Sequence, residues 1–372
     1  MWTEYDDCHI PVKLGFTAVR TFADIPAEIE RRLLGGERIA LVLLDAFGLR
    51  FLERHDDHPL VRRLDVTPLE TQTPSTTTAH IPTLHFGMPV TEHGLYEWNL
   101  YEPSLDDVIV PFLFARAGDP PGALLKEGFD ARQLSPGPSL YLRLEQDGIR
   151  SATYGPDRIA GSPFGAVALE GSSTHPFPDL ATGVRELAAA MADPEGPHYA
   201  TLYWDIIDAT GHLHGPSSPE FDAAARDALD ALEPLTRLKG VTVLLTADHG
   251  QVDVAPDRVD YLDELWPELG SYLTQSKPAG SARDVFLHVR EPDTVIAELS
   301  ARLGDGAEVR PAASLFDTIG DLLAARLADV VVLPADGREA WLRSAAGVEQ
   351  HFRGHHGGLH PDETRTYLAE LR

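Results

Sequence analysis

Cysteine occurs once in the chain, as Cys8, so no internal disulfide can form and no metal site can be built from thiolates. Basic side chains are scarce too. Lysine and arginine total 31 against 58 aspartates and glutamates, a formal net charge of -27. A surface of that sign repels polyanions, which argues against a broad nucleic-acid surface and against binding an anionic membrane. It does not oppose a small phosphate ester, because a bound cation inverts the field locally. No apolar run approaches the roughly 18 residues of a membrane span. The stretch MWTEYDDCHIPVKLGF has no basic segment followed by an apolar core. It does not read as a signal peptide, and cytoplasmic residence is the default expectation. A GxxxxGK phosphate loop, an internal repeat and a low-complexity linker are all missing.

What is present is an ordinary globular composition, 43% hydrophobic and 24% charged. The length suits one large α/β domain with an insertion, or two domains. IALVLLDAFG (39–48) and VTVLLTADHG (241–250) read as buried parallel strands that stop at acids and glycine. HYATLYWDIID (198–208) is a third strand, and RSATY (150–154) and ADVVVLP (328–334) are weaker ones. Helical spacing recurs at 22–36, 179–193 and 218–240, the last opening on Ser-Pro. This alternation predicts a doubly wound, mostly parallel sheet with helices on both faces. Ligands of such sheets gather beyond the carboxyl ends of the strands. Residues 255–325 are less regular, with a strand at 284–289 and a helix at 292–304. They are expected to form a small inserted cap on a catalytic domain made of 1–254 and 326–372.

The polar residues at those strand ends carry the chemistry. Asp45 follows the first strand, and Asp248 and His249 end another. In DIIDATGHLHGP (205–216), Asp208 and His212 are four apart, so one helical turn would aim both at one point, although Gly211 equally allows a tight turn. A converging carboxylate and imidazole are standard ligands of a zinc-like cation. FRGHHGGLHP (352–361) adds a His- and Gly-rich loop in which a histidine could ligate. TQTPSTTTAH, from 71, places hydroxyls at Thr71, Thr73 and Ser75 through Thr78. These are poor helix formers, suited either to capping a helix or to attacking a substrate. Together the segments supply enough aspartates, histidines and hydroxyls for two metals, the arrangement that clamps both oxygens of an in-line phosphoryl displacement.

In this combination and order, the sequence resembles the alkaline phosphatase superfamily, and within it the type I phosphodiesterase/nucleotide pyrophosphatase branch. The resemblance runs from about 39 to 358 and is least clear at 255–345. It implies a bimetallic site, usually of two zinc ions, and a Thr or Ser nucleophile. PSTTTAHIPTLHFGMPVTEHGL matches the family's nucleophile segment without gaps and puts the nucleophile at Thr77. One metal would be held by Asp208, His212 and His356, the last preferred to His355 because the family's metal histidine directly precedes glycine. The other would be held by Asp45, Asp248 and His249, with Thr77 beside it. Ser75 and Thr76 are expected to be helix caps. His80, His85 and His93 are expected to be packing or turn residues, and His214 a surface or supporting one.

The resemblance also implies substrate contacts. Tyr203, five before Asp208, corresponds to a stacking aromatic, whereas Thr78 stands where the nucleotide-cleaving branch has an aromatic. Asn99 lies one residue beyond the family's phosphate-holding Asn, with Trp98 in the aligned place. The Cys-x-Pro-x-Arg pattern of sulfatases is missing, and residues 78–99 contain no Arg of the kind that grips a monoester's phosphate. The expectation is a hydrolase of small phosphodiesters or pyrophosphates acting through a phospho-threonine. The runner-up is a phosphomonoesterase or phosphonate hydrolase, which Arg283 or Arg353 would favour by supplying the missing guanidinium from another segment. A further alternative is an inactive metal-binding module that recognises a phosphorylated ligand.

Overall fold

The computed structural model describes residues 19–347 and 349–372. Cys8 and the stretch read for a signal peptide lie outside the described residues. The strands of the two main sheets are β1 (Ile39–Leu44), β2 (Leu64–Glu70), β3 (Ser151–Pro156), β4 (Ser172–Phe177), β5 (Tyr199–Trp204), β6 (Thr242–Thr246), β7 (Ala279–Ser281), β8 (Asp284–Leu287), β9 (Ala307–Pro311), β10 (Val330–Pro334) and β11 (Arg365–Leu371). Seven of them form the central sheet in the order β2-β11-β6-β1-β5-β3-β4. From β6 to β4 every pairing is parallel. The exception is β11, which runs antiparallel between β2 and β6.

Helices cover both faces, as the alternating pattern predicts. Helix α1 (Ile25–Leu34) turns Ile25, Ile29 and Leu33 inward, a four-residue spacing, and packs with α2 (Thr77–Phe86) on one face. The other face carries α3 (Leu180–Ala192) and α5 (Pro219–Ala231), with α4 (Ile206–His214) between them in the chain. Their starts are set by side-chain caps: Asp179 accepts from the Thr182 N–H at 2.9 Å, and Ser218 from the Phe221 N–H at 3.2 Å. Covered from both sides, β1 is buried at all six positions, which is why its sequence is a continuous apolar run.

The segment 328–334 is a strand, but β10 belongs to a second, antiparallel sheet of order β7-β8-β10-β9. Its apolar run has the same cause as in β1, burial on both faces. Val331 and Leu333 pack one way, Val330 and Val332 the other, against the side of α6 (Pro292–Leu303). One of these cores also takes in Leu100 and Ile109 from a small three-stranded sheet, with Phe114 just before its last strand. The wall beside the central sheet is thus assembled from residues around 100–134 and around 260–345. Among the described residues no helix is long and apolar enough to cross a membrane.

Candidate metal centre and nucleophile

Three adjacent parallel strands, β6, β1 and β5, end at the same edge, with Leu43 paired to both Tyr203 and Thr246. Their continuations therefore deliver Asp45, Asp208 and Asp248 to one place, the carboxyl edge where α/β sheets bind ligands. Ala46 adopts a left-handed backbone, φ 57°, an expensive conformation for a residue with a Cβ. It turns the Ala46 N–H onto Asp248 Oδ1 at 3.1 Å, where the His249 N–H also donates at 3.1 Å. Asp248 Oδ2 is left buried and without a hydrogen-bond partner.

The segment with Gly211 is helical, so Asp208 and His212 sit one turn apart on α4, His212 Nε2 lying 3.3 Å from Asp208 Oδ2. Gly211 is needed for contact: a Cβ there would come within 1.9 Å of Gln251 Oε1. That close approach brings the short strand Gly354–His355 against the helix, where Gly354 O receives His212 Nδ1 at 2.7 Å. His356 follows, with Nε2 3.7 Å from Asp208 Oδ1 and its ring stacked on His249 at 3.9 Å between centroids. His355 turns away instead, toward Glu339 at 3.5 Å. His214 is exposed.

The three imidazoles share one arrangement. Nδ1 of His212, His249 and His356 faces a backbone carbonyl, of Gly354, Gly250 and Ser75 respectively. A carbonyl only accepts, so Nδ1 carries the proton and Nε2 presents a lone pair inward, the state a metal ligand needs. Donor atoms within 4.8 Å of one another define two groups: Asp45, Asp248 and His249, and Asp208, His249 and His356. His212 joins the second through Asp208. Burial pushes Asp45 well above the ordinary carboxylate range, and Asp248 and Asp208 push it further. Burial likewise raises Asp248. It would raise Asp208 too, but His212 and the other two histidines hold that acid below its usual value. Converging carboxylates, one with an orphaned oxygen, and three inward lone pairs make a donor set that fits divalent cations.

Against this cluster stands the hydroxyl run. Of residues 75–78, Thr77 alone is not fully buried. Its Oγ1 lies 3.0 Å from His249 Nε2 and 3.3 and 3.4 Å from the Asp45 oxygens. Thr77 opens α2, where free N–H groups and the helix dipole favour an anion. The capping expectation for its neighbours does not hold. Thr76 occupies the N-cap without a side-chain cap bond. Ser75 spends its hydroxyl on the 356–358 loop instead, donating to Gly358 O at 2.9 Å. His80 and His93 are buried, hydrogen-bonded packing residues, and His85 pairs with the Tyr141 hydroxyl.

Tyr203 was expected on the substrate. The structure instead aims its hydroxyl at Asp45 Oδ2 and packs its ring against the core of the α1 face. Trp98 and Asn99 do line a cavity of about 1260 Å³ that reaches Thr77, Asp208, His212 and His356. Asn99 Nδ2 is already donated to Gly280 O at 3.0 Å. Arg283 is buried against Glu363, 3.1 Å away, and donates to the Ala335 and Arg338 carbonyls. Arg353 is exposed. Sequence reasoning missed Gln251, whose amide donates to Asp208, and Glu97, fully buried beside the cavity. Gln251 stands two residues after His249, a proximity that could have flagged it. Glu97 carried no such signal.

A family model described as type I phosphodiesterase / nucleotide pyrophosphatase matches residues 39–359. The chain belongs to that family. Among characterised relatives, it is 27% identical over 186 residues to ectonucleotide pyrophosphatase/phosphodiesterase family member 3 of Rattus norvegicus, covering 45% of this chain and 21% of that protein. It is 34% identical over 73 residues to bis(5'-adenosyl)-triphosphatase ENPP4 of Homo sapiens, covering 18% and 16% of the two chains. The matched stretch thus spans about a fifth of such relatives. Murine ectonucleotide pyrophosphatase/phosphodiesterase 5 has the same fold, with a TM-score of 0.65 at 17% identity over 90% of this chain and 88% of that one. Phosphonoacetate hydrolase from Sinorhizobium meliloti 1021 superposes equally broadly, with a TM-score of 0.64 at 17% identity over 90% of each chain.

Proposed function

We propose that this type I phosphodiesterase family member is a metal-dependent hydrolase of small phosphodiesters or pyrophosphates, with Thr77 as its nucleophile. One observation carries the reading: Thr77 Oγ1, at the mouth of α2, lies 3.0 Å from His249 Nε2, the imidazole common to both donor groups. Asp45, Asp248 and His249 would hold one divalent cation, and Asp208, His212 and His356 the other, with zinc the natural guest for this nitrogen and oxygen set. When bound, the cations supply Lewis acidity, easing ionisation of hydroxyl and water and offsetting charge on the phosphoryl group. Thr77 Oγ1 attacks phosphorus, the bond to the leaving-group oxygen breaks, and the hydroxyl proton passes to solvent. A water then cleaves the phospho-threonine, restoring the hydroxyl. The N–H groups at the start of α2 face the phosphoryl oxygens, and Trp98 and Asn99 line the cavity that takes the substrate.

The engagement of Arg283 with Glu363 supports a diester over a monoester, since that guanidinium is already paired and is not offered to a dianionic phosphate. The test compares bis-p-nitrophenyl phosphate, p-nitrophenyl-TMP and p-nitrophenyl phosphate on metal-replete protein. Diester turnover should exceed monoester turnover by at least about tenfold, roughly 1.4 kcal/mol of transition-state preference. Equal rates, or a monoester preference, would move the enzyme to the phosphomonoesterase or phosphonate hydrolase class. No turnover with any of them would leave an inactive binding module.

A further inference from the structure

We propose that Ser75 is a positioning residue that ties the nucleophile loop to the His356 ligand and sets the affinity of the outer metal, the one assigned to Asp208, His212 and His356. The inference rests on the two-cation reading above. Ser75 is 1% exposed and contributes three bonds to the 356–358 loop. Its carbonyl receives His356 Nδ1–H at 3.2 Å, its Oγ accepts the Gly357 N–H at 3.3 Å, and its O–H donates to Gly358 O at 2.9 Å. One hydroxyl therefore has its donor and acceptor capacity used, both on the loop that carries the ligand.

The loop cannot easily settle elsewhere. Gly357 has φ 109°, and a Cβ on it would meet Ser281 Oγ at 2.7 Å and Asp284 Oδ1 at 2.8 Å. Ser281 Oγ also reaches His356 O at 3.3 Å. The backbone at 356–358 thus runs in a slot with Ser281 and Asp284 on one side and Ser75 on the other. His249 is held more locally: its Nδ1 partner is the carbonyl of the next residue in its own turn. Removing the Ser75 hydroxyl leaves a buried N–H and a buried C=O unpaired, and the loop must shift to find partners. That shift acts first on His356, while Asp248 and His249 keep bonds to the Ala46 N–H and Gly250 O that do not involve the loop.

The experiment is a titration of apo protein with Zn²⁺, or with Co²⁺ followed by its absorption, for wild type and Ser75→Ala. Wild type should take up two equivalents. In Ser75→Ala the inner binding event should be unchanged and the outer one weakened about 10- to 100-fold, the usual scale for a group that orients a ligand. Turnover of the variant should recover with excess metal, which a generally destabilised fold would not do. Unchanged affinity at both sites, or equal weakening of both, overturns the role of Ser75. Wild type failing to bind an outer equivalent would sink the metal reading instead. A second measurement needs no variant to fold: ¹⁵N-histidine spectra of the wild-type protein should place the His356 proton on Nδ1. A proton on Nε2 contradicts the proposal.

Discussion

The two proposed ligand groups are built differently. Asp45, Asp248 and His249 come from the ends of neighbouring strands of one sheet, and their side chains are 2%, 0% and 0% exposed. His212, Asp208 and His356 come from a helix and a distant loop and are 21%, 17% and 11% exposed. The inner group inherits the rigidity of β1 and β6, whose pairing fixes where Asp45 and Asp248 emerge. The outer group exists only where α4, Gly354 and Ser75 meet, through contacts spanning up to 283 residues of sequence. A sheet edge and a tertiary clasp can hold similar ligands, but the clasp should open first.

The comparison breaks most completely at His249, which belongs to the inner group and stacks on His356 of the outer one. His249→Ala should lower turnover by about 10³-fold or more, the scale of losing a preorganised electrostatic group, and weaken both metals. Steady-state rates with metal analysis check this; a variant that keeps two tight metals would separate the groups. A smaller effect sharpens the contrast. Graded chelation of wild type should remove one equivalent before the other, and His212→Ala should lose the outer one while keeping the inner. Simultaneous loss of both metals along a single chelation curve would mean that the groups act as one unit.

The inner group was largely legible in the sequence for the same reason that it is rigid. A buried strand must be apolar, so the first acid after IALVLL or VTVLLT marks its own place at the sheet edge. The outer group needed the family resemblance to choose His356 over His355, because both loop positions are histidine and neither periodicity nor capping separates them. The structure separates them by direction, one ring toward Asp208 and the other toward Glu339. Ser75 was misread because a Ser beside a helix start usually caps it, and the loop that captures it lies over 280 residues away. Strand β11 was invisible for a related reason. RTYLAEL contains good helix formers and is a strand only because a gap between β2 and β6 accepts it.

The smallest expected effect lies on the cavity wall. Burial raises Glu97 from its ordinary 4.5 to about 7, partly offset by the Trp98 N–H and the Thr76 hydroxyl. A raised folded-state pKa means that the full contribution to stability is present below the unfolded value and is lost as pH rises through about 7. Apo protein should therefore lose stability from this group between pH 4.5 and 8, and Glu97→Gln should flatten that slope. Denaturant melts across the range measure it, and parallel pH profiles for the two proteins would assign the slope to other acids.

The most direct test of the account is the turnover of metal-replete Thr77→Ala on bis-p-nitrophenyl phosphate, with Thr77→Ser beside it. Thr77→Ala should retain both metals and show no turnover above background, because Asp45, Asp248 and His249 remain while the attacking oxygen is gone. Thr77→Ser should keep measurable activity. Wild-type turnover by Thr77→Ala would contradict the account, as would a dead Thr76→Ala or Thr78→Ala alongside an active Thr77→Ala.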